Sequence, residues 1–256
     1  MHLCFVLLPD VLPLTQRKLE KAVKDEFPEL GKVKWKSSKK GVVSFAVGGA
    51  KVMVALMPAP VPDGEADGAT EHSLSGINGS WTLPEHRAHL IVMPEGKPKE
   101  GVEALTTFTR VVACVVRAMD AVGVYWGAGG ATHHPEFVVN IAQSELPLPV
   151  WVGLSIAKAQ KGFEALSLGM KQLELPDLVL RAPKIDGEVL EFFYDLLAYV
   201  ARRGKAIPAG ETVGRDEKEK LKVKYEKSPV DETQDVWVVE FPAKKKKKAA
   251  ATKRAR

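Results

Sequence analysis

The stretch 185–225, IDGEVLEFFYDLLAYVARRGKAIPAGETVGRDEKEKLKVKY, constrains the fold more than any other part of the chain. Val189, Leu190, Phe192, Phe193, Leu196, Leu197 and Val200 recur at helical spacing, with Glu188, Glu191, Asp195 and Arg202 left for the opposite side. That spacing predicts an amphipathic helix packed on a core. Acidic residues load its first turns and Arg202, Arg203 and Lys205 its last, so the charges agree with the helix dipole, and Gly204 supplies the stop. Pro208 and Gly210 then predict a turn. The alternation Leu221, Val223, Tyr225 suits a half-buried strand, and 236–241 a second one.

The same residues carry a family likeness. The run FFYDLLAYVARRGKAIPAGETVG, followed by LKVKYEKSPVD and a closing VWVVEF, resembles the bacterial domain of unknown function 4261. The resemblance is clearest over 166–241 and extends more loosely to MPAPVP, the HLIV strand and the VGVYWG segment near the front. It implies no established activity, substrate or catalytic residue.

With 256 residues, 45% of them hydrophobic and 27% charged, the chain can bury a core without disulfides or metal. Its two cysteines, Cys4 and Cys114, lie far apart in apolar surroundings and read as buried reduced thiols. The apolar opening MHLCFVLLPDVLPL lacks a basic n-region and a small-residue cleavage site, and Asp10 interrupts it, so it reads as a buried strand of a cytoplasmic protein. In the other long apolar run, 102–124, Glu103, Arg110, Arg117 and Asp120 would be costly in lipid, and no membrane association is expected.

The net charge of +5 needs dividing. Lys244, Lys245, Lys246, Lys247, Lys248, Lys253, Arg254 and Arg256 form a polybasic tail; without those eight, 29 basic residues face 32 acidic ones, and the body carries −3. The tail is expected to be disordered and to bind polyanions such as nucleic acid through counterion release, without reading sequence.

Taken in order, the chain predicts a strand over 2–8, a helix from Thr15 to Phe27, a hairpin of 42–47 and 52–57, a short helix over 64–74 and a strand over 88–93. That order matches a ferredoxin-like unit. A boundary is expected at 97–101. Beyond it come an apolar helix around Leu105 to Met119, a strand over 122–126, a helix over 135–142 and a strand over 149–156, with a loop-like stretch between 168 and 178. The fold class is therefore α+β: two packed α/β-sandwich halves, 1–97 and 98–243, the first ferredoxin-like, and a disordered basic tail, 244–256.

The most suggestive site is YWGAGGATHHPE, 125–136, where a strand runs into glycines and then histidines. His133, His134 and Glu136 are candidates for general-base or metal chemistry, and Tyr125, Trp126, Gly129 and Gly130 for ligand contact. GAGGA is not a dinucleotide fingerprint, and a polar surface loop reads as well. His86 and His89 are spaced for ligation on a helix but lead into a strand, which sends them to opposite faces. Glu188, Glu191 and Asp195 read as a solvated helix face, and Ser73, Ser75 and Ser80 lack a nucleophile-elbow context. No cofactor and no metal are expected. A large core without a coherent catalytic set favours a non-enzymatic binding or regulatory protein, such as one that neutralises or escorts a partner protein. The alternatives are an enzyme with a pocket near Trp126 and His133/His134, and a module tethered to nucleic acid by its tail.

Overall fold

Strand β1, Cys4–Leu8, has an antiparallel neighbour on each side: β5, Ala88–Pro94, and β6, Gly123–Trp126. Both its faces meet protein. Cys4, Val6 and Leu8 enter the main core, while Leu7 joins a second cluster with Val61, Ala66, Ala69, Leu83 and Tyr125. This double burial explains why CFVLL is apolar at every position instead of alternating. The computed structural model describes residues 3–39, 41–76, 79–96 and 101–242. The expected polyanion-binding tail and residues 97–100 of the expected boundary lie outside the described residues.

Around β1 runs a seven-stranded sheet in the order β2-β3-β4-β5-β1-β6-β7, where β2 is Lys34–Lys39, β3 Val42–Val47, β4 Ala50–Met57 and β7 Ala131–His133. This order corrects the ferredoxin-like expectation. Such a unit would seat β4 beside β1, whereas here β5 lies between them and β2, which the sequence reading missed, extends the sheet at the far edge. The cause lies in the segment after Met57. Its described residues form short helical turns, of which α2, Glu65–Gly68, is one, and these cover the Leu7 face of the sheet. Among the described residues no crossover helix carries the chain past β4, and β5 returns directly against it, with Met57 opposite His89.

The expected boundary at 97–101 also gives way. Strands β6 and β7 come from beyond it yet complete the same sheet. Helix α3, Val102–Met119, packs beneath β1 between α1, Gln16–Glu26, and α4, Pro135–Ala142. One continuous cluster of buried side chains runs from Cys4 to Phe241. A short polar connection with proline and glycine looks the same whether it separates domains or joins a strand to a helix.

The remaining chain opens with α5, Leu148–Trp151, and β8, Gly153–Lys158, where the sequence reading had a single strand. Strand β8 is the edge of a five-stranded sheet, β13-β14-β10-β9-β8, with β9 Phe163–Leu168, β10 Leu178–Ala182, β13 Lys224–Lys227 and β14 Asp235–Glu240. Among the described residues its only parallel pair is β10 with β14. The chain reaches β14 from β10 by way of α6, Gly187–Arg203, and the small ribbon β11–β12, Thr212–Val213 and Leu221–Lys222. Helix α6 matches the sequence pattern closely: the Asp186 carboxylate accepts from the Val189 N–H at 3.2 Å, Gly204 closes the helix in the left-handed conformation, and Phe192, Phe193, Leu196, Leu197 and Val200 are buried.

Candidate functional site

The residues singled out between 125 and 136 are brought together, but protein groups already occupy the functional atoms of Tyr125, Trp126, His133 and Glu136. Tyr125 stacks on Phe5 and donates its hydroxyl to Glu65 Oε1 at 2.5 Å. Burial pushes its phenol well above the ordinary range. The buried Trp126 indole donates to Gln172 Oε1 at 3.1 Å. The other end of Gln172 donates to the carbonyls of Trp151, at 2.9 Å, and Gly169, at 2.7 Å. The Gly130 carbonyl accepts from His72 Nδ1 at 3.0 Å. At Gly129 an added Cβ would stand 2.5 Å from the Trp151 carbonyl oxygen. The glycines thus allow one backbone to approach another, which is the same property that would let a ligand approach.

His133 is fully buried. Its Nε2 lies 3.0 Å from the Val150 carbonyl, which can only accept, so Nε2 carries the proton and Nδ1 accepts from Ser73 Oγ at 2.6 Å. Ser75 then donates to Ser73 Oγ at 2.7 Å and itself accepts from the His134 N–H at 2.9 Å. A serine beside an imidazole is the arrangement of a nucleophile and its base. Here burial pushes the imidazole down to about 4, opposed only in part by the Val150 bond. Behind it stands a carbonyl and not a carboxylate, and Ser73 is itself inaccessible. The chain of bonds is chemically a neutral fastening that ties residues 73–75 to β7 and β7 to α5. No sequence spacing could have announced it, since the partners lie sixty positions apart.

Glu136 is held by Arg117, which also bonds Glu26, so one guanidinium joins α1, α3 and α4. Arg117 keeps the Glu136 carboxyl below its usual range, which weakens it as a base. The His134 ring accepts from the Glu136 N–H as the cap of α4 and meets Trp81 edge-on. His86 accepts from the Val61 N–H at 3.1 Å and His89 bonds the Ala59 carbonyl at 2.9 Å, so both fasten the proline-rich segment after β4. Among the described residues, no group of three or more His, Cys, Asp or Glu side chains is placed to hold a metal ion. None of the described helices is long and apolar enough to cross a membrane.

A different site is open. A groove of about 410 Å³ lies between α6 and the residues that lead through β11. Phe192, Asp195, Leu196, Tyr199 and Arg203 follow one another along its helical wall, over about 16 Å of helix axis. Residues Glu211 to Arg215 form the other wall, and among the described residues β11 pairs with β12 alone. The floor is apolar: Phe192, Leu196 and Ile207 are buried, and Val213 is half-buried. Tyr199, 49% exposed, carries the Arg203 guanidinium 5.2 Å from its ring centroid. Arg215 is committed to Glu219 and Glu188 and lies over the Phe241 ring. Asp195 and Glu211 make no side-chain hydrogen bond or ion pair among the described residues. The sequence reading placed Asp195 on a solvated face and did not single out Tyr199 or Glu211. The available signal was Tyr199, a large aromatic just outside the buried stripe of α6.

The groove falls within the part of the chain that comparison with known families identifies. A family model described as Domain of unknown function (DUF4261) matches residues 166–240, from within β9 to the end of β14. The match agrees with the resemblance carried by α6 and the strands after it. No curated protein and no solved structure matches the chain.

Proposed function

We propose that the protein is a non-enzymatic binding protein that holds an extended segment of a partner protein in the groove between α6 and β11. The observation that carries this reading is the shape of the groove. A trough three helical turns long, walled on one side by residues 211–215, whose two-residue strand β11 pairs among the described residues with β12 alone, suits a chain in β conformation that lies along that wall and drops alternate side chains onto the floor. A segment of about five residues spans it. The enzyme reading keeps one observation in its favour, the chain from Ser75 through Ser73 to His133. The poor basicity of a fully buried imidazole weighs against it. The free buried thiols Cys4 and Cys114 support a reducing compartment such as the cytoplasm.

The test is selection from a random heptapeptide display library against the folded protein, with Val213→Arg and Tyr199→Ala as counter-screens. Tyr199 is half exposed, and its truncation is expected to leave the fold intact. Enrichment of peptides that bind the parent and fail on both variants supports the reading. Peptides that bind all three proteins alike, or no enrichment, overturn it.

A further inference from the structure

We infer that the α6 trough selects a partner segment in which basic side chains alternate with apolar ones; this rests on the trough being a peptide site. The argument is one of charge and period. Within and beside the trough, the carboxylates of Asp195, Glu211, Glu188 and Glu219 stand against the guanidinium groups of Arg203 and Arg215. Arg215 is saturated by two of those carboxylates, whereas Arg203 is held by the neutral Tyr199 ring and hydroxyl at the C-terminal end of the helical wall and keeps its charge. Among the described residues, Asp195 on the helical wall and Glu211 on the strand wall make no ion pair, and the two outnumber Arg203, the one lining cation without a carboxylate partner, so carboxylates stand in excess on both sides of an apolar floor. An extended chain points successive side chains to opposite faces. The residues that fill the floor at Phe192, Leu196, Ile207 and Val213 are therefore apolar, and those between them reach the rim, where Lys or Arg can meet a carboxylate while its alkyl stem covers the apolar wall.

The chain's own residues 244–256 share the charge but lack the second half of this pattern. Their only apolar residues are alanines, too small to fill the floor, and they lie outside the stretch that the family model matches, whereas every lining residue of the trough lies inside it. The occupant is accordingly another protein.

The experiment titrates the full chain with fluorescein-labelled hexapeptides of alternating Arg and Leu, Gln and Leu, or Glu and Leu, and with a peptide of residues 243–256, by fluorescence polarisation. The Arg-Leu peptide is expected to bind at least tenfold more tightly than the Gln-Leu peptide. That advantage shrinks with added salt and vanishes in the Asp195→Asn, Glu211→Gln double variant, which still binds the Gln-Leu peptide. Equal binding of the Arg-Leu and Gln-Leu peptides, both blocked by Val213→Arg, overturns the charge assignment and leaves the peptide site standing. Tighter binding of the 243–256 peptide overturns the assignment to a partner. If no peptide shows binding that Val213→Arg or Tyr199→Ala removes, the peptide-site reading fails and this inference with it.

Discussion

Gly129 and Gly153 are packed so closely that a side chain on either would strike the other's backbone surroundings: a Cβ at Gly153 would come within 2.2 Å of the Gly129 carbonyl oxygen, and one at Gly129 within 3.1 Å of the Gly153 nitrogen. Gly169 joins the same contact, where a Cβ would stand 2.7 Å from the Ala128 carbonyl oxygen. Here the turn between β6 and β7 meets the start of β8 and the end of β9, so this is where the two large sheets are joined. Gly129→Ala is expected to destabilise the protein by roughly 1 to 3 kcal/mol, as overpacking does. Gly187→Ala, with open space around it at the start of α6, is expected to stay within about 0.5 kcal/mol of the parent. Urea unfolding of the two variants checks the contrast; equal stabilities would mean that the join between the sheets yields easily.

Gln172 fastens the same join from the side-chain direction. Its removal leaves the buried Trp126 indole N–H and the Trp151 carbonyl each without the partner described above. Gln172→Ala should cost roughly 2 to 4 kcal/mol, the penalty for orphaning two buried polar groups. Tryptophan fluorescence followed through thermal unfolding reports both the loss and the altered environment of Trp126. A variant as stable as the parent would require another donor and acceptor to take over.

His133 makes stability depend on pH with a definite sign. Folded, it takes up a proton only near pH 4, whereas unfolded it does so near 6.5, so protonation favours the unfolded chain. The stabilisation is fully present above pH 6.5 and drains away as pH falls from 6.5 to 4, by about 3 kcal/mol at most. His133→Gln, whose amide can still donate to Val150 and accept from Ser73, should flatten the stability profile over that interval. Parallel profiles for parent and variant between pH 7 and 4 would show that the imidazole is not held neutral.

Two aromatic positions on α6 separate core from groove. Phe193 is fully buried, and Phe193→Ala should destabilise by roughly 3 to 5 kcal/mol. Tyr199, half exposed on the groove wall, should lose less than about 1 kcal/mol as Tyr199→Ala while losing peptide binding. A large stability loss at Tyr199 would make it a packing residue and remove the main wall of the proposed site.

Local pattern determined much of this protein. The 3.6-residue recurrence from Val189 to Val200, the acidic start and Gly204 fixed α6, because burial of one stripe, the helix dipole and a left-handed cap all act within a few residues. The continuous apolar run of β1 likewise required burial on both faces wherever the strand lay. The family likeness over 166–240 was legible for the same reason, as it rests on those elements and the strands after them. Only the tertiary structure decided which strand neighbours β1, since a hydrophobic pattern states that a face is buried and not against what. After Met57 the described residues form short helical turns and no crossover helix, and β5 lies between β4 and β1. The glycines at 129 and 153 carry the same signature whether backbone or ligand approaches, and His133 whether it is a base or a neutral link to Ser73. The trough, finally, is made by residues 192–203 and 211–215 folding onto one another. Its Asp195 and Glu211, which make no ion pair among the described residues, look like ordinary surface carboxylates until the positions of the neighbouring cations are known.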